Sequence, residues 1–335
     1  MDRLGLLDET LRAFDSSLPS VVRSRCVATR YRAATCRRCI HVCPADAVAI
    51  DPLEVDADRC IACGACAAVC RSGALDFPQT RGLVHERLAR PDGGEAILAC
   101  SQADLEGSEV APDVVVACLA ALSPADLVAA AAAGCDGLTL VSGECASCVA
   151  ARAMAGAEFE AAPAVAWLAG IGAPLRLRRL TTTSNGAPMR PPAAAVSRRD
   201  LFGLLVGRGR VVAAAALASS TPRVEELHAV TPPPAAQRRL LADLAALVSR
   251  AAEASLELPG DLPLARVEVG DRCDGCSLCT RYCPHGALAM SDGVVVFVPH
   301  LCTGCGLCAE TCPREAIGVH PGRLSSLGAQ AVRAE

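Results

Sequence analysis

Aromatic side chains are nearly missing from this sequence: one Trp, two Tyr and five Phe among 335 residues. Its 52 % apolar fraction is therefore largely Ala and Cys, and signals a less oily core than the figure suggests. Long apolar runs are missing too. A run such as residues 211–218 falls far short of the roughly eighteen a membrane helix needs. Residues 1–14 contain Asp2, Asp8 and Glu9 and no apolar centre, which argues against a secretory signal. Basic charge is not in excess: 32 Lys and Arg face 36 Asp and Glu, a net charge of −4. The electrostatic footprint of a nucleic-acid binder is absent. No G-x-G-x-x-G follows a strand-like run, and no phosphate-binding loop, H-E-x-x-H or G-x-S-x-G occurs. These absences remove the usual places for a nucleotide, a flavin, a nicotinamide or a hydrolytic nucleophile.

What the sequence has is cysteine. The count, 21, is odd, and the spacings are those of metal sites. Disulfide pairing is the weaker reading, and a reducing, cytoplasmic setting is expected. Residues 273–284 read Cys-Asp-Gly-Cys-Ser-Leu-Cys-Thr-Arg-Tyr-Cys-Pro, and residues 302–313 read Cys-Thr-Gly-Cys-Gly-Leu-Cys-Ala-Glu-Thr-Cys-Pro. Thiolates three residues apart let one tight loop set three sulfurs around one iron–sulfur cube. The fourth, followed by Pro, turns away and ligates the other cluster. Two 4Fe–4S sites are expected: Cys273, Cys276 and Cys279 with Cys312, and Cys302, Cys305 and Cys308 with Cys283. Zinc also takes four thiolates, but usually through two C-x-x-C pairs. The stretch resembles the dicluster ferredoxin family, whose members carry electrons.

A second block lies near the N-terminus. Cys60, Cys63, Cys66 and Cys70 fit the same run with Arg71 in place of Pro. Cys36, Cys39 and Cys43-Pro44 match its last three cysteines, but Ala33 stands where the first belongs and Cys26 lies seven residues earlier. Two readings stay open. Either a longer loop returns Cys26, giving Cys26, Cys36, Cys39 and Cys70, or the site has three ligands and holds a 3Fe–4S or labile cluster. The other quartet is Cys60, Cys63, Cys66 and Cys43. After Cys43, Cys70, Cys283 and Cys312 the tails are alike, each a short turn and an apolar strand segment. Four copies of one half-module make two ferredoxin modules, near residues 21–80 and 262–322. Arg23, Arg25, Arg30, Arg32, Arg37 and Arg38 crowd the first with no acid between Asp15 and Asp46. They read as a solvated loop or as a docking face for an acidic partner.

Residues 92–180 alternate strand and helix. Strands are expected at 95–100, 113–119, 137–143 and 174–180. One helix starts at Ser123-Pro124-Ala125-Asp126 and ends at Gly134; another covers 144–159. This pattern argues a small parallel α/β domain. Its carboxyl edge gathers Cys100, Cys118, Cys145 and Cys148. Cys145 and Cys148 are expected to open a helix, where the dipole favours thiolate. Cys135 falls at the opposite edge as a structural or free thiol. A 2Fe–2S cluster, a redox-active pair at Cys145 and Cys148, and buried structural cysteines are the three explanations. Residues 116–122 (Val-Ala-Cys-Leu-Ala-Ala-Leu) and 133–148 (Ala-Gly-Cys-Asp-Gly-Leu-Thr-Leu-Val-Ser-Gly-Glu-Cys-Ala-Ser-Cys) resemble the iron–sulfur (delta) subunit of methyl-viologen-reducing hydrogenase. That resemblance implies a 2Fe–2S cluster and delivery of electrons to a heterodisulfide reductase. Where the family has Gly-Cys-His-Pro-Gly-Asp-Cys, this chain has Gly143-Glu-Cys-Ala-Ser-Cys.

The remaining stretches read as connections. Residues 181–199 and 219–235 are linkers by composition. Residues 197–202 (Ser-Arg-Arg-Asp-Leu-Phe) look like a twin-arginine signal in the wrong position, and a basic amphipathic helix is the plainer reading. Leu240, Leu241, Leu244, Leu247 and Val248 form one helical stripe, as do Leu4, Leu7, Leu11 and Phe14. His41, His285 and His300 are expected in loops and not as ligands.

The expected architecture is two α+β ferredoxin-like dicluster modules with a small parallel α/β domain between them. Its divisions are an N-terminal helix (1–20), the modules (21–80 and 262–322), the α/β domain (92–180), a linker with helices (181–261) and a tail (323–335). The expected function is a multi-cluster electron-transfer subunit holding four 4Fe–4S clusters and one 2Fe–2S cluster. It serves a catalytic oxidoreductase, such as a hydrogenase or formate dehydrogenase, and a donor or acceptor protein in a hetero-oligomeric complex. Two alternatives stay open: thiol–disulfide or heterodisulfide catalysis at Cys145 and Cys148, and metalloenzyme assembly or redox sensing. No nucleic-acid partner and no transmembrane segment are expected.

Overall fold

The computed structural model describes residues 18–77, 87–88, 93–106, 110–185, 229–248, 257–323 and 332–333. The stripe from Leu4 to Phe14, the stretch 197–202 and the apolar run 211–218 lie outside these residues.

Residues 18–77 hold β1 (Ser20–Val21), α1 (Val27–Arg30), α2 (Arg38–Val42), β2 (Val48–Ile50), β3 (Leu53–Val55), α3 (Ala65–Ala68) and β4 (Leu75–Asp76). The first and last strands pair antiparallel, with Val21 opposite Leu75, and β2 and β3 form a hairpin between them. The elements are short because each has one task, covering a cysteine loop with apolar surface. Val48, Leu53, Leu75 and Phe77 pack with Cys26, Cys43 and Cys66 in one buried cluster.

The middle unit contains β5 (Glu95–Cys100), β6 (Val114–Val116), α4 (Pro124–Ala132), β7 (Gly137–Ser142), α5 (Ala151–Gly170) and β8 (Arg176–Thr181). All its pairings are parallel, in the order β6-β5-β7-β8. The central strands are nearly continuous apolar runs because both faces are covered; Ala96, Leu98 and Val141 are wholly buried. At the start of α4 the Asp126 carboxylate accepts from both the N–H and the hydroxyl of Ser123, each at 2.7 Å. Pro124 sits in the first turn, where a missing N–H costs nothing.

Two expectations shift. The second long helix begins at Ala151, not at Glu144. Cys145–Ser147 form a separate 3-10 turn, in which the Ser147 hydroxyl donates to Glu144 O at 3.2 Å and the Ala150 N–H to Cys148 Sγ at 3.4 Å. Such local side-chain bonds compete with helical ones, so Cys145 and Cys148 precede the helix instead of opening it. The first residues of the expected linker also belong to the sheet edge. Thr182 N–H donates to Ser142 O at 2.8 Å and Asn185 N–H to Gln102 O at 3.1 Å.

α6 (Ala235–Val248) carries the leucine stripe. Leu240, Leu244 and Leu247 are buried in the core of the middle unit, against α4. The segment before it is packed as well: the Thr231 N–H and hydroxyl both donate to Pro284 O, at 2.9 and 3.1 Å.

The C-terminal unit repeats the first plan with β9 (Ala265–Val269), α7 (Leu278–Tyr282), β10 (Leu288–Ser291), β11 (Val294–Phe297), α8 (Leu307–Glu310), β12 (Ile317–Pro321) and β13 (Val332–Arg333). β9 and β12 pair antiparallel as the outer strands. The β10–β11 hairpin turns through Asp292 and Gly293, both left-handed, as a tight two-residue turn requires; β13 extends it. No helix among the described residues is long and apolar enough to cross a membrane.

Candidate metal centres

Three of the four cysteine runs share one backbone. The residues on either side of the second cysteine are left-handed: Ala62 and Gly64 around Cys63, Gly275 and Ser277 around Cys276, Gly304 and Gly306 around Cys305. Left-handed residues within a tight loop turn successive N–H groups inward, forming an anion-binding nest. The third cysteine, Cys66, Cys279 or Cys308, is then the second residue of α3, α7 or α8.

The four tails share a second device. Three residues after each closing cysteine the chain is left-handed, at Asp46, Gly73, Gly286 and Glu315. The next residue is always Ala, and its N–H turns back to the sulfur. Ala47 donates to Cys43 Sγ at 3.3 Å, Ala287 to Cys283 Sγ at 3.2 Å and Ala316 to Cys312 Sγ at 3.3 Å; the Ala74 N–H acts on Cys70 likewise. Donors at sulfur stabilise its negative form.

The run containing Cys36 departs from this plan. Arg37, next after Cys36, has a negative φ of −135°, and its guanidinium donates to Ala34 O at 3.1 Å and Cys36 O at 2.8 Å. Cys26 precedes α1. Cys26, Cys36, Cys39 and Cys70 nevertheless line one cavity of about 50 Å³, so the longer loop brings Cys26 to the other three. Burial, then the thiolates of Cys70, Cys26 and Cys36, push the Cys39 thiol up to about 12.

The other quartets are similar. Cys283, Cys302, Cys305 and Cys308 line a cavity of about 20 Å³. Burial, then neighbouring thiolates partly offset by N–H donors, raises Cys302 to about 12 and Cys305 to about 11. Cys66 is pushed up by burial, then by Cys63, Cys60 and Cys43. Cys279 rises to about 11 through burial, and Cys273, Cys276 and Cys312 act on it through space.

Thiols raised in this way resist ionisation by themselves, and thiolates gathered so closely become stable only around compensating positive charge. Zinc draws four sulfurs to about 2.3 Å from one point; among the described residues no group of three or more His, Cys, Asp or Glu is arranged for a single ion. Four cysteines lining one cavity, with N–H donors aimed at the closing sulfurs, fit an iron–sulfur cluster.

In the middle unit Cys100 ends β5 and Cys118 lies just past β6. Burial is the main cause that pushes Cys118 up to about 12, and the thiolates of Cys63, Cys100 and Cys148 add to it. Cys100, Cys118 and Cys148 thus come together, within reach of a cysteine of the first module. Cys145 Sγ accepts from Arg179 Nη2 at 3.5 Å. Cys135, at the far edge, donates to Leu88 O at 2.7 Å.

Residues 272–317 match the family model of the 4Fe-4S dicluster domain, and residues 53–76 match that of the 4Fe-4S binding domain. The chain carries two ferredoxin-type 4Fe-4S domains. The dicluster match spans all eight cysteines of the C-terminal runs, and the shorter match spans Cys60, Cys63, Cys66 and Cys70. No match is found among curated proteins.

Sequence reasoning missed the residues that hold the two ferredoxin-type domains together. Arg30, only 3 % exposed, donates across to Tyr282 O at 2.9 Å. His285 has its ring nitrogens 3.1 Å from Thr231 O and 3.2 Å from Ser72 O; burial is the main cause holding its pKa below the ordinary value. Gln237 Nε2 donates to Cys302 O at 2.7 Å. Within the arginine run Arg30 is buried, whereas Arg23, Arg32 and Arg38 are exposed. Arg23 pairs with Glu54 at 2.8 Å, Arg25 donates to Pro232 O at 3.1 Å, and Arg30 is inside.

Proposed function

We propose that this chain is a multi-cluster electron-transfer subunit that relays single electrons between a donor and a partner oxidoreductase. The observation that carries the reading is that the cysteine groups stand in one line of neighbours. Cys118 of the middle unit acts on Cys63. Cys66, in the quartet of Cys63, feels Cys39. Cys36 and Cys305 pack on one small apolar cluster of Val27, Ala34 and Leu307, and Cys305 also lines the cavity of Cys26, Cys36, Cys39 and Cys70. Cys283 and Cys312 then cross between the last two quartets. Electron transfer weakens steeply with distance, so contiguity is what a relay needs.

Each quartet would hold one 4Fe–4S cluster, and Cys100, Cys118 and Cys148 with Cys145 would hold a 2Fe–2S cluster. Bound clusters supply one-electron chemistry, with potentials set by net charge, hydrogen bonds to sulfur and exposure. The chain's part is to fix sulfurs, aim N–H groups at them and exclude water. Cys273 and Cys276 are the two exposed cysteines among the described residues, so this quartet is the port for a partner. The resemblance of the middle unit to a hydrogenase delta subunit makes a hydrogenase, a formate dehydrogenase or a similar enzyme the partner class, in a cytoplasmic complex.

Anaerobic iron and sulfide analysis with an EPR-monitored redox titration tests this reading. The expected content is about 18 iron atoms per chain. About 16 removes the middle centre, and about 8 refutes one whole module. A second reading, disulfide chemistry at Cys145 and Cys148, draws support from Arg179, whose Nη2 lies 3.5 Å from Cys145 Sγ. Disulfide turnover by the chain, lost in Cys145→Ser, would establish it.

A further inference from the structure

The N-terminal module departs from the regular cysteine run in two places, the lengthened loop between Cys26 and Cys36 and Arg71 in the position of Pro. Both departures face the other module. From the loop, Val27 and Ala34 pack on Leu307, and Thr35 binds Glu310 through its N–H at 2.9 Å and its hydroxyl at 3.0 Å. Arg71 donates to the carbonyls of Gly304 and Gly260. At the centre is Arg30. Its Nε donates to Tyr282 O at 2.9 Å, and Nη1 to Ser24 O at 2.9 Å and Ala229 O at 3.0 Å. Nη2 lies 3.3 Å from Arg281 O and 3.4 Å from Cys283 O. A guanidinium stays charged in proteins, and this charge is felt by Cys283 and Cys305.

We propose that Arg30 sets the potential of the centre held by Cys283, Cys302, Cys305 and Cys308, making it the point where electrons rest between the two modules. The proposal rests on the reading of these cysteines as cluster ligands. An electron that leaves a neighbouring centre and arrives among these four sulfurs adds one negative charge. A buried cation beside them stabilises that added charge, because its field is little screened away from water. The reduced form gains and the potential rises. Arg30 is a positioning residue here: it touches the backbone of Cys283 and acts through it. Its location explains why the loop is longer than the run requires, since the extra residues carry the guanidinium across to the other module.

The test uses the full chain, prepared anaerobically, with iron content and EPR-monitored midpoint potentials. In Arg30→Gln the reduction equilibrium of one 4Fe–4S signal shifts about tenfold toward the oxidised form, ~59 mV for one electron, while the other signals stay in place. Arg30→Lys, which keeps the charge, shifts it less. Thr35→Val loosens the same interface without changing charge and moves no potential. Where Arg30→Gln fails to fold, Ala229→Asp decides: it is an exposed position whose carbonyl accepts from Arg30, and a carboxylate there lowers the same potential. Iron retained with every potential unmoved in Arg30→Gln, or in Ala229→Asp, overturns the inference alone. Parent protein that holds no iron overturns the reading of the cysteines, and the inference with it.

Discussion

The rings of Tyr31 and Tyr282 meet edge-on, with centroids 5.3 Å apart and planes at 63°. Tyr31 lies in the lengthened loop of the first module and Tyr282 ends α7 of the second, so the chain's two Tyr residues face each other across one interface. Both residues are half-buried there. Tyr31→Ala is expected to cost about 2 kcal/mol through the lost ring and the edge-to-face contact. Tyr31→Phe is expected to be nearly neutral. Urea unfolding of the two variants checks this, and equal midpoints for both would show that the ring contributes nothing.

Cys26→Ala removes the cysteine that the long loop returns to Cys36, Cys39 and Cys70. The expected outcome is loss of about four iron atoms per chain and of one 4Fe–4S signal, with the others unchanged. Iron content and EPR spectra equal to the parent would mean that Cys36, Cys39 and Cys70 hold their centre without Cys26.

Cys118→Ser and Cys135→Ser separate a ligand from a structural thiol. Cys118 lies beside Cys100 and Cys148, and its replacement should remove about two iron atoms. Cys135 is buried and bonds Leu88 O, so Cys135→Ser should keep all iron and cost about 1 kcal/mol of stability. Iron loss in the Cys135 variant would place a centre at the wrong edge of the sheet and contradict the assignment.

Gly64→Ala tests the seam between the first module and the middle unit. Gly64 has φ +79°, and an added Cβ would stand 2.6 Å from Ala121 Cβ. Strain and overlap together are expected to cost about 3 kcal/mol. Ala121→Gly in the same chain should recover the steric part and leave the backbone part, so the double variant falls between parent and single variant in thermal unfolding.

What the sequence made legible was whatever is local. Steps of three residues between cysteines are fixed by the chain itself, so the three-cysteine loops could be written down before any fold was known. The edge shared by Cys100, Cys118 and Cys148 was legible by one further rule, that parallel strands end on the same side. Arg30, His285 and Gln237 were not legible. Each bonds backbone carbonyls that can lie more than 200 residues away, as Arg30 and His285 do, and a carbonyl leaves no mark in a sequence. The arginine run illustrates the limit: nothing in its composition shows that Arg25 and Arg30 reach main-chain oxygens far along the chain. The turn holding Cys145 and Cys148 was misjudged for a related reason, since one hydroxyl and one sulfur drew bonds away from the helix.

The bond from Arg30 to the carbonyl of Cys283 spans 253 residues, and this has a consequence for synthesis. At about 5–20 residues per second the ribosome delivers the receiving carbonyls roughly 10–50 s after the arginine. Throughout that interval the side of the first module that will be sealed stands in water, and its cysteine loops can be reached from that side. The first module is thus complete in sequence before the carbonyls that seal Arg30 exist.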